Sequence, residues 1–294
     1  MEIIFVSVIY CHIIKIIEQD TINSNINMLL NTKNILEGKM DEIDSIAEQV
    51  SSNPKVIRYN SITNPFYGAN TYKILDTRQQ LYDYRLTNNF INNYFIVYLN
   101  SGILMGPSQT YRIDQFYKYF FKFEGIEYEQ WCDEISMGYN GKYILPERNA
   151  SFLDKQYSLI TYIRDLNITS NGKNCKIMFF LKADEVNSLL SSLDLYDKGW
   201  SYVEDETGTV LSSYSAQHDL SVDTINLEHF DTDGYMIKEI NNERMIFTYV
   251  ISEKTGWRYV VAQPYQNLMR KVYSVKLVSF GVLLISIFLG LVIA

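Results

Sequence analysis

The chain ends in an uncharged apolar run, and this feature limits its possible architectures most strongly. Residues 277–294, LVSFGVLLISIFLGLVIA, contain no acidic or basic side chain. An α-helix of this length reaches about 27 Å, close to the ~30 Å hydrocarbon core of a bilayer. A buried helix of a soluble domain usually keeps a polar stripe, which this run lacks. We therefore predict a membrane-spanning helix here.

The first residues carry a weaker apolar signal. Residues 3–17 are mostly apolar but include His12 and Lys15. The run continues into Glu18 without the small-residue cleavage site of a secretory signal peptide. We interpret residues 1–19 as a first transmembrane helix, and a missing cytoplasmic start is one explanation of its short length. Two spans would place residues 20–270 on one side of the cell membrane, which we expect to be extracytoplasmic.

The net charge of the chain limits the classes of partner that it is expected to bind. Its formal net charge is -8 at pH 7. An acidic domain of this size does not favour binding to nucleic acid or to an anionic membrane surface. The partners to expect, besides the membrane itself, are a small solute, another protein, or both.

Two segments have the same hairpin pattern. Residues 93–107 and 199–214 each contain a strand, a turn that ends in glycine, and a second strand. Gly102 and Gly208 would supply the positive φ angle that a tight turn needs. The likeness continues downstream, where residues 157–193 repeat the order of residues 243–272: strand, turn, strand and helix.

This repetition predicts two modules of one design. Each module is a small antiparallel sheet flanked by helices, which makes the fold class α+β. The stretch between the hairpins is longer in the first module, so that module has more room for a pocket. The predicted boundaries are 1–19 for the first transmembrane helix, 20–56 for a long stalk helix, 57–196 for a membrane-distal module, 197–266 for a membrane-proximal module, and 267–294 for the helix that enters the second span.

The stalk helix is predicted from a narrow apolar stripe. Its members recur at alternating spacings of three and four, with Lys33 as the only break: Ile22, Ile26, Leu29, Leu36, Met40, Ile43, Ala47 and Val50. Such a stripe either packs on the chain's own sheets or forms a helix-to-helix contact in a homodimer. The sequence favours neither alternative, and both can hold together.

Taken together, these elements resemble a known family. A first span, a long helix, two strand-turn-strand modules and a closing segment that leads into a second span are similar to the double Cache (tandem PAS-like) sensor region of bacterial transmembrane receptors. The most similar members are the sensor histidine kinases of the YesM type. The resemblance covers essentially the whole chain, and its most specific parts are VEDETGTVLSS (residues 203–213) and TGWRYVVAQPYQNL (residues 255–268).

The resemblance implies a receptor that senses a ligand outside the cytoplasm. The phosphorylation and ATP-binding regions of such a kinase would follow residue 294, so the chain itself is not expected to be an enzyme. The motifs of zinc hydrolases, nucleotide-binding loops and serine hydrolases are also absent from the sequence. We predict no cofactor and no metal. Cys132 and Cys175 would be free to form a disulfide in an extracytoplasmic domain.

Ligand-binding candidates lie in the membrane-distal module. Aromatic side chains offer flat apolar walls with a polar tip, and an arginine can hold a carboxylate with two hydrogen bonds. The candidates are Tyr98, Trp131, Tyr143, Tyr162, Arg164 and Asp165. Core packing is the competing interpretation for each aromatic residue. Tyr162 and Arg164 share one face of a strand, whereas Asp165 points to the other face.

The resemblance does not favour an amino acid as the ligand. In the amino-acid-binding class of double Cache domains, an arginine precedes the tryptophan and an aromatic residue follows it. The positions compared here hold Glu127 and Cys132. Two functional classes therefore stay open: a receptor ectodomain of the kinase, chemoreceptor or cyclase type, and a membrane-anchored interaction module without a ligand.

The predicted topology can be tested by chemical labelling. In the Asn226→Cys variant, the new thiol should react with a membrane-impermeant maleimide in intact cells, because the segment between the spans is expected to lie outside. The parent protein gives the background from the native cysteines. Labelling that appears only after lysis would contradict an extracytoplasmic sensor.

Overall fold

The structure is a computed structural model that describes residues 2–136, 141–166, 175–193, 195–216, 232–267 and 281. The helices are α1 Glu2–Ser51, α2 Pro54–Tyr59, α3 Asn70–Arg78, α4 Ile113–Gln115, α5 Tyr128–Ser136 and α6 Ala183–Ser191. A 3₁₀ turn covers Tyr84–Leu86, and a π-helical turn at Phe116–Phe120 continues α4. Another helical turn begins at Tyr265.

The strands form two sheets. They are β1 Ile91–Tyr98, β2 Ile103–Met105, β3 Thr110–Arg112, β4 Phe121–Phe123, β5 Lys142–Phe152, β6 Lys155–Asp165, β7 Cys175–Lys182, β8 Trp200–Glu204, β9 Val210–Ser215, β10 Gly234–Ile240, β11 Glu243–Ile251 and β12 Arg258–Pro264. The first sheet has the order β3-β2-β1-β7-β6-β5-β4, and the second has the order β10-β11-β12-β8-β9. Their central pairs, β1–β7 and β8–β12, are antiparallel. The predicted α+β fold class is confirmed.

The two sheets repeat one strand order. The first contains β2-β1-β7-β6-β5, and the second, taken from its other edge, is β9-β8-β12-β11-β10. The turns of the opening hairpins use glycines at positive φ, +66° at Gly102 and +82° at Gly208. In both sheets the last strand leads into helix: α6 follows β7, and a helical turn follows β12. The sequence repeat therefore corresponds to a repeated module.

The described chain divides into two compact units. The larger unit contains residues 35–188 and 209–212, and the smaller contains the described parts of residues 1–34, 189–208 and 213–294. Helix α1 thus contributes residues to both units. In the smaller unit, Ile22 of α1 packs against Ile246 of β11, and the buried Asn25 donates a hydrogen bond to Gln263 at 3.0 Å.

Most of the predicted apolar stripe of α1 is buried within the chain. Its buried members are Ile22, Leu29, Leu36, Ile43, Ala47 and Val50. Ile26 and Met40 are half-buried. The first of the two alternatives, packing on the chain's own units, is therefore observed.

The stalk segment contains a break that its predicted range of 20–56 did not include. Helix α1 ends at Ser51, and α2 begins at Pro54. A proline disfavours helical backbone at the preceding residue, and Asn53 is extended there, with φ -72° and ψ 120°. The Asn53 side chain accepts a hydrogen bond from the backbone N–H of Lys55 at 2.9 Å and so caps α2.

No helix within the described residues combines the length and the apolar content of a bilayer span. The second predicted span, residues 277–294, lies outside the described residues apart from residue 281.

The glycines of the chain give a test of the fold. A Cβ atom on Gly199, directly before β8, would lie 1.9 Å from the carbonyl oxygen of Leu195 and 2.8 Å from that of Ala262. Gly199→Ala should therefore lower the free energy of unfolding by about 3 kcal/mol. The control is Gly38→Ala on the exposed surface of α1, where a Cβ would meet nothing within 4 Å. That variant should gain about 0.5–1 kcal/mol in urea unfolding, and equal effects of the two changes would contradict the fold.

Candidate functional site

The first sheet carries candidate residues on both of its faces. Side chains alternate between faces along a strand. On β6, Ile163 belongs to the core cluster that contains Trp131 of α5, whereas Tyr162 and Arg164 contact α1. We call these two sides of the sheet the α5 face and the α1 face. The six predicted ligand residues divide between them.

Tyr162 and Arg164 attach α1 to the sheet, and both contact Asp44. The Tyr162 hydroxyl donates a hydrogen bond to Asp44. The Arg164 guanidinium donates to the Asp44 carbonyl oxygen at 3.1 Å, to its Oδ1 at 3.2 Å and to Glu48 Oε1 at 3.1 Å. Lys142 Nζ lies 2.8 Å from Asp44 Oδ2. We call Asp44, Glu48, Lys142, Tyr162 and Arg164 the Asp44 cluster.

The electrostatics of this cluster favour an ionised Asp44. Burial alone would raise the pKa of this carboxyl group, but hydrogen bonds from Lys142 and Tyr162 and the positive charges of Lys142 and Arg164 outweigh it, so the pKa is lowered. Burial and the hydrogen bond to Asp44 raise the pKa of the Tyr162 hydroxyl. On the α1 face these side chains therefore satisfy one another's charges and hydrogen bonds. Tyr162 and Arg164 use their polar groups to attach α1.

Tyr98 is also buried in a packing position. It lies 1% exposed at the end of β1, and its hydroxyl donates to the carbonyl oxygen of Val56 in α2 at 3.2 Å. Its ring meets Tyr59 edge to face, with 4.9 Å between the ring centroids. This arrangement agrees with the core-packing interpretation of Tyr98.

On the α5 face, Trp131 belongs to an aromatic core. Trp131 belongs to α5, and its side chain is fully buried. Its ring stacks on that of Tyr117 with 4.7 Å between the ring centroids. Phe116 and Phe121 flank it at 6.1 and 6.4 Å. The indole Nε1 of Trp131 is buried without a hydrogen-bond acceptor among the described residues. An unpaired buried donor costs free energy.

Tyr143 and Asp165 meet on the α5 face around Lys176. The Tyr143 hydroxyl donates to the Glu134 carbonyl oxygen of α5 at 2.6 Å. Lys176 Nζ lies 3.1 Å from Asp165 Oδ1 and 5.6 Å from the centroid of the Tyr143 ring. The side chain of Lys176 is 1% exposed and that of Asp165 is 11% exposed. We call Tyr143, Asp165 and Lys176 the Lys176 cluster.

The structure therefore brings together Trp131, Tyr143 and Asp165 on one face, and separates them from Tyr98, Tyr162 and Arg164. The opposite orientations of Arg164 and Asp165 follow the predicted alternation. Lys176 is not among the predicted ligand residues, although the sequence carries a signal for it: it is the only charged residue in the apolar run 175–181.

Two open grooves border the end of α5. One has a volume of about 270 Å³ and is lined by Leu99, Gly102, Arg112, Ile113, Asp114, Tyr128, Cys132, Ile135 and Ser136. The other has a volume of about 390 Å³ and shares Asp114 and Tyr128 with the first. The volume of the second groove lies within the roughly 300–1,000 Å³ of small-molecule sites, and that of the first lies just below this range. The smaller groove adjoins the core of the α5 face, because Ile135 belongs to that core and Leu99 packs against it.

Two further features of the described residues concern metal ligands and cysteines. Among the described residues, no group of histidine, cysteine and acidic side chains is placed to hold a metal ion. Cys132 and Cys175 are both free, so the disulfide that the sequence left open is not formed. Burial raises the pKa of the Cys132 thiol, which disfavours the reactive thiolate.

Comparison with known proteins identifies the fold. No protein-family profile and no curated protein sequence matches the chain. Solved structures match it at low identity. The sensory domain of the Campylobacter jejuni chemoreceptor Tlp3 (CcmL) with isoleucine bound is 14% identical with a TM-score of 0.52, and the match covers 87% of this chain and 97% of that one.

Two further structures agree. The ligand-binding domain of the Pseudomonas fluorescens chemoreceptor CtaA in complex with L-isoleucine is 11% identical, with a TM-score of 0.52 and coverage of 87% and 98%. The extracellular domain of rpHK1S-Z16, assigned as a histidine kinase, is 12% identical, with a TM-score of 0.52 and coverage of 84% and 94%. The chain has the fold of receptor sensory domains. This is the Cache-like fold that the resemblance implied, and the three solved structures named above are sensory, ligand-binding or extracellular domains.

The Asp44 cluster predicts a specific pH dependence. Asp44→Asn should lower the free energy of unfolding at pH 7 by about 1–3 kcal/mol, because it removes a hydrogen-bonded charge. The folded-state pKa of Asp44 lies below the ordinary value of an aspartate, because of these hydrogen bonds and positive charges. The stability from this carboxylate is therefore present above pH 3.8 and is lost as the pH falls through the folded-state pKa. The difference between parent and variant should shrink below about pH 4 in urea unfolding.

Glu48→Gln is the matched control one helical turn later. Its carboxylate is 68% exposed and contacts Arg164 alone within the cluster. An exposed ion pair contributes little, so this variant should lose less than about 1 kcal/mol. Equal losses for the two variants, or a difference that persists at pH 3, would contradict the assignment of Asp44.

Proposed function

We propose that this chain is the extracytoplasmic ligand-sensing region of a membrane receptor, and that a small solute binds on the α5 face of the membrane-distal module. The observation that carries the proposal is the Lys176 cluster, in which the buried Lys176 meets the half-buried Tyr143 and Asp165 on the face that holds the aromatic core. It occurs in a fold that is shared with receptor sensory domains. Buried polar groups within an apolar setting are typical of a small-molecule site.

The proposed site consists of Trp131, Tyr143, Asp165 and Lys176. Trp131 contributes a flat apolar wall and an indole N–H that has no acceptor in the part of the chain that the structure describes. Tyr143 adds an aromatic ring, and Asp165 with Lys176 adds a pair of opposite charges. Tyr98, Tyr162 and Arg164 are not part of this site, because their polar atoms are directed to α1 and α2.

A ligand-induced change would be transmitted through β5 and β6, because each of these strands carries residues of both the proposed site and the Asp44 cluster. Lys142 and Tyr143 are consecutive on β5, and Arg164 and Asp165 are consecutive on β6. In each pair one side chain contacts α1 and the other belongs to the Lys176 cluster. A ligand that shifts these strands would therefore change the contacts of α1. We further propose that the helix that begins at Tyr265 conveys the change into the second predicted span.

More than one type of receptor is compatible with the proposed sensing function. The resemblance of the sequence favours a sensor histidine kinase of the YesM type in a two-component system, and rpHK1S-Z16 supports a kinase. Tlp3 and CtaA support a chemoreceptor equally well. In either case the output region would follow the second span, and a cyclase-type output is a third alternative.

We also propose that the chain forms a homodimer through α1, with a surface of the helix other than the predicted apolar stripe. Most of that stripe is buried within the chain. A homodimer contact would therefore use the opposite, solvent-facing side of α1, where Ile35 is 37% exposed.

A membrane-anchored interaction module is the alternative from another functional class. The segment that joins α2 to α3, together with α3, exposes Phe66, Tyr67 and Tyr72, at 50%, 80% and 71%. Contiguous exposed aromatic side chains are typical of protein-binding surfaces.

A thermal-shift screen separates the two classes. The whole chain, purified in detergent, should be stabilised by solutes of one chemical class by about 5 °C at a hundredfold excess over Kd. Asp165→Asn should abolish this shift. Asp114→Asn, an exposed change in both grooves, should preserve it. No stabilisation by any solute would favour the interaction module, and loss of the shift in Asp114→Asn alone would move the site to the grooves.

A further inference from the structure

Lys176 occupies a position that is unusual for a lysine. It is the second residue of β7, and the residues that follow it up to Leu181 are all buried. Its own side chain is 1% exposed. Moving an ammonium group out of water costs several kcal/mol unless a partner compensates for it. A lysine at this position therefore depends on the groups that surround its Nζ atom.

Those groups form a recognition site for an ammonium. Asp165 supplies a carboxylate oxygen 3.1 Å from Nζ, and the Tyr143 ring lies 5.6 Å from it. A carboxylate together with an aromatic face is the combination with which proteins bind ligand ammonium groups. In this chain the ammonium is supplied by the protein itself.

An α-amino acid would compete with Lys176 for the same partners. Its ammonium group would need Asp165 and Tyr143, and this competition would take the Asp165 carboxylate away from the buried Lys176 ammonium. Breaking a buried pair in this way is costly, so the site discriminates against any cationic ligand. The isoleucine bound by Tlp3 and by CtaA carries such an ammonium group.

We propose that Lys176 is a specificity determinant, and that the α5 face accepts small apolar solutes without a positive charge and rejects amines and amino acids. This inference rests on the proposed function, since it names the ligand class of the same site. Removing the Lys176 ammonium should convert the site into one that binds alkylammonium ions, because the Asp165 carboxylate and the Tyr143 ring would then no longer face an internal ammonium.

The test measures three probes by titration calorimetry on the whole chain: isobutyrate, isobutylammonium and isoleucine. The parent protein should bind neither of the two amines measurably. Lys176→Met, in which an apolar side chain of similar length replaces lysine, should bind isobutylammonium at least about tenfold more tightly than the parent. The double variant Lys176→Met/Asp165→Asn should lose this gain, because the carboxylate is neutralised.

Three results would overturn the inference. In the first, the parent protein binds an amine as tightly as Lys176→Met does. In the second, Lys176→Met folds but binds isobutylammonium no more tightly than the parent. In the third, the tighter binding of isobutylammonium persists in the double variant. Cooperative thermal melting checks that each variant is folded. If Lys176→Met does not fold, the affinities of the parent protein for the three probes and for the screened solutes test the inference instead.

This outcome is separate from that of the proposed function. A parent protein that binds no solute at all would refute the ligand-sensing proposal. An amine-binding gain in Lys176→Met would still support the assignment of Lys176.

Discussion

The attachment of α1 to the first sheet depends on one carboxylate. Asp44 receives hydrogen bonds from Lys142, Tyr162 and Arg164, and these three side chains come from neighbouring strands. A carboxylate can accept several such bonds, and charged donors make them stronger than neutral ones. The apolar residues of α1 supply burial, but burial has no direction. The Asp44 cluster fixes which residue of α1 meets which strand.

The same strand ends also carry the proposed site, because consecutive residues on a strand point to opposite faces. Neither Tyr143 nor Asp165 can be displaced far without moving Lys142 or Arg164. An ångström-scale change around Lys176 would therefore be felt at Asp44, and packed elements tend to respond to such changes by moving between discrete arrangements. In this account the two faces have different tasks: one recognises the solute and the other holds the helix that responds.

The sequence predicted the fold well because its signals are local. Glycine turns, alternating strands and the spacing of apolar residues in α1 each depend on a few neighbouring positions. The candidate site was predicted only in part, because contacts between distant segments decide it. Tyr162 and Arg164 resemble ligand residues until Asp44, which lies 118 residues before Tyr162, is placed against them. Lys176 was overlooked because a lysine is normally exposed, and its buried partner becomes visible only once β6 and β7 are paired in register.

The central claim is that solute binding on the α5 face alters the contacts of α1. Hydrogen–deuterium exchange on the whole chain, with and without the solute that gives the largest thermal shift, tests it directly. The account predicts slower exchange in residues 142–146 and 160–166, together with a changed exchange rate in α1 around Asp44. Protection confined to the grooves near Asp114 and Tyr128, with exchange in α1 unchanged, would contradict it.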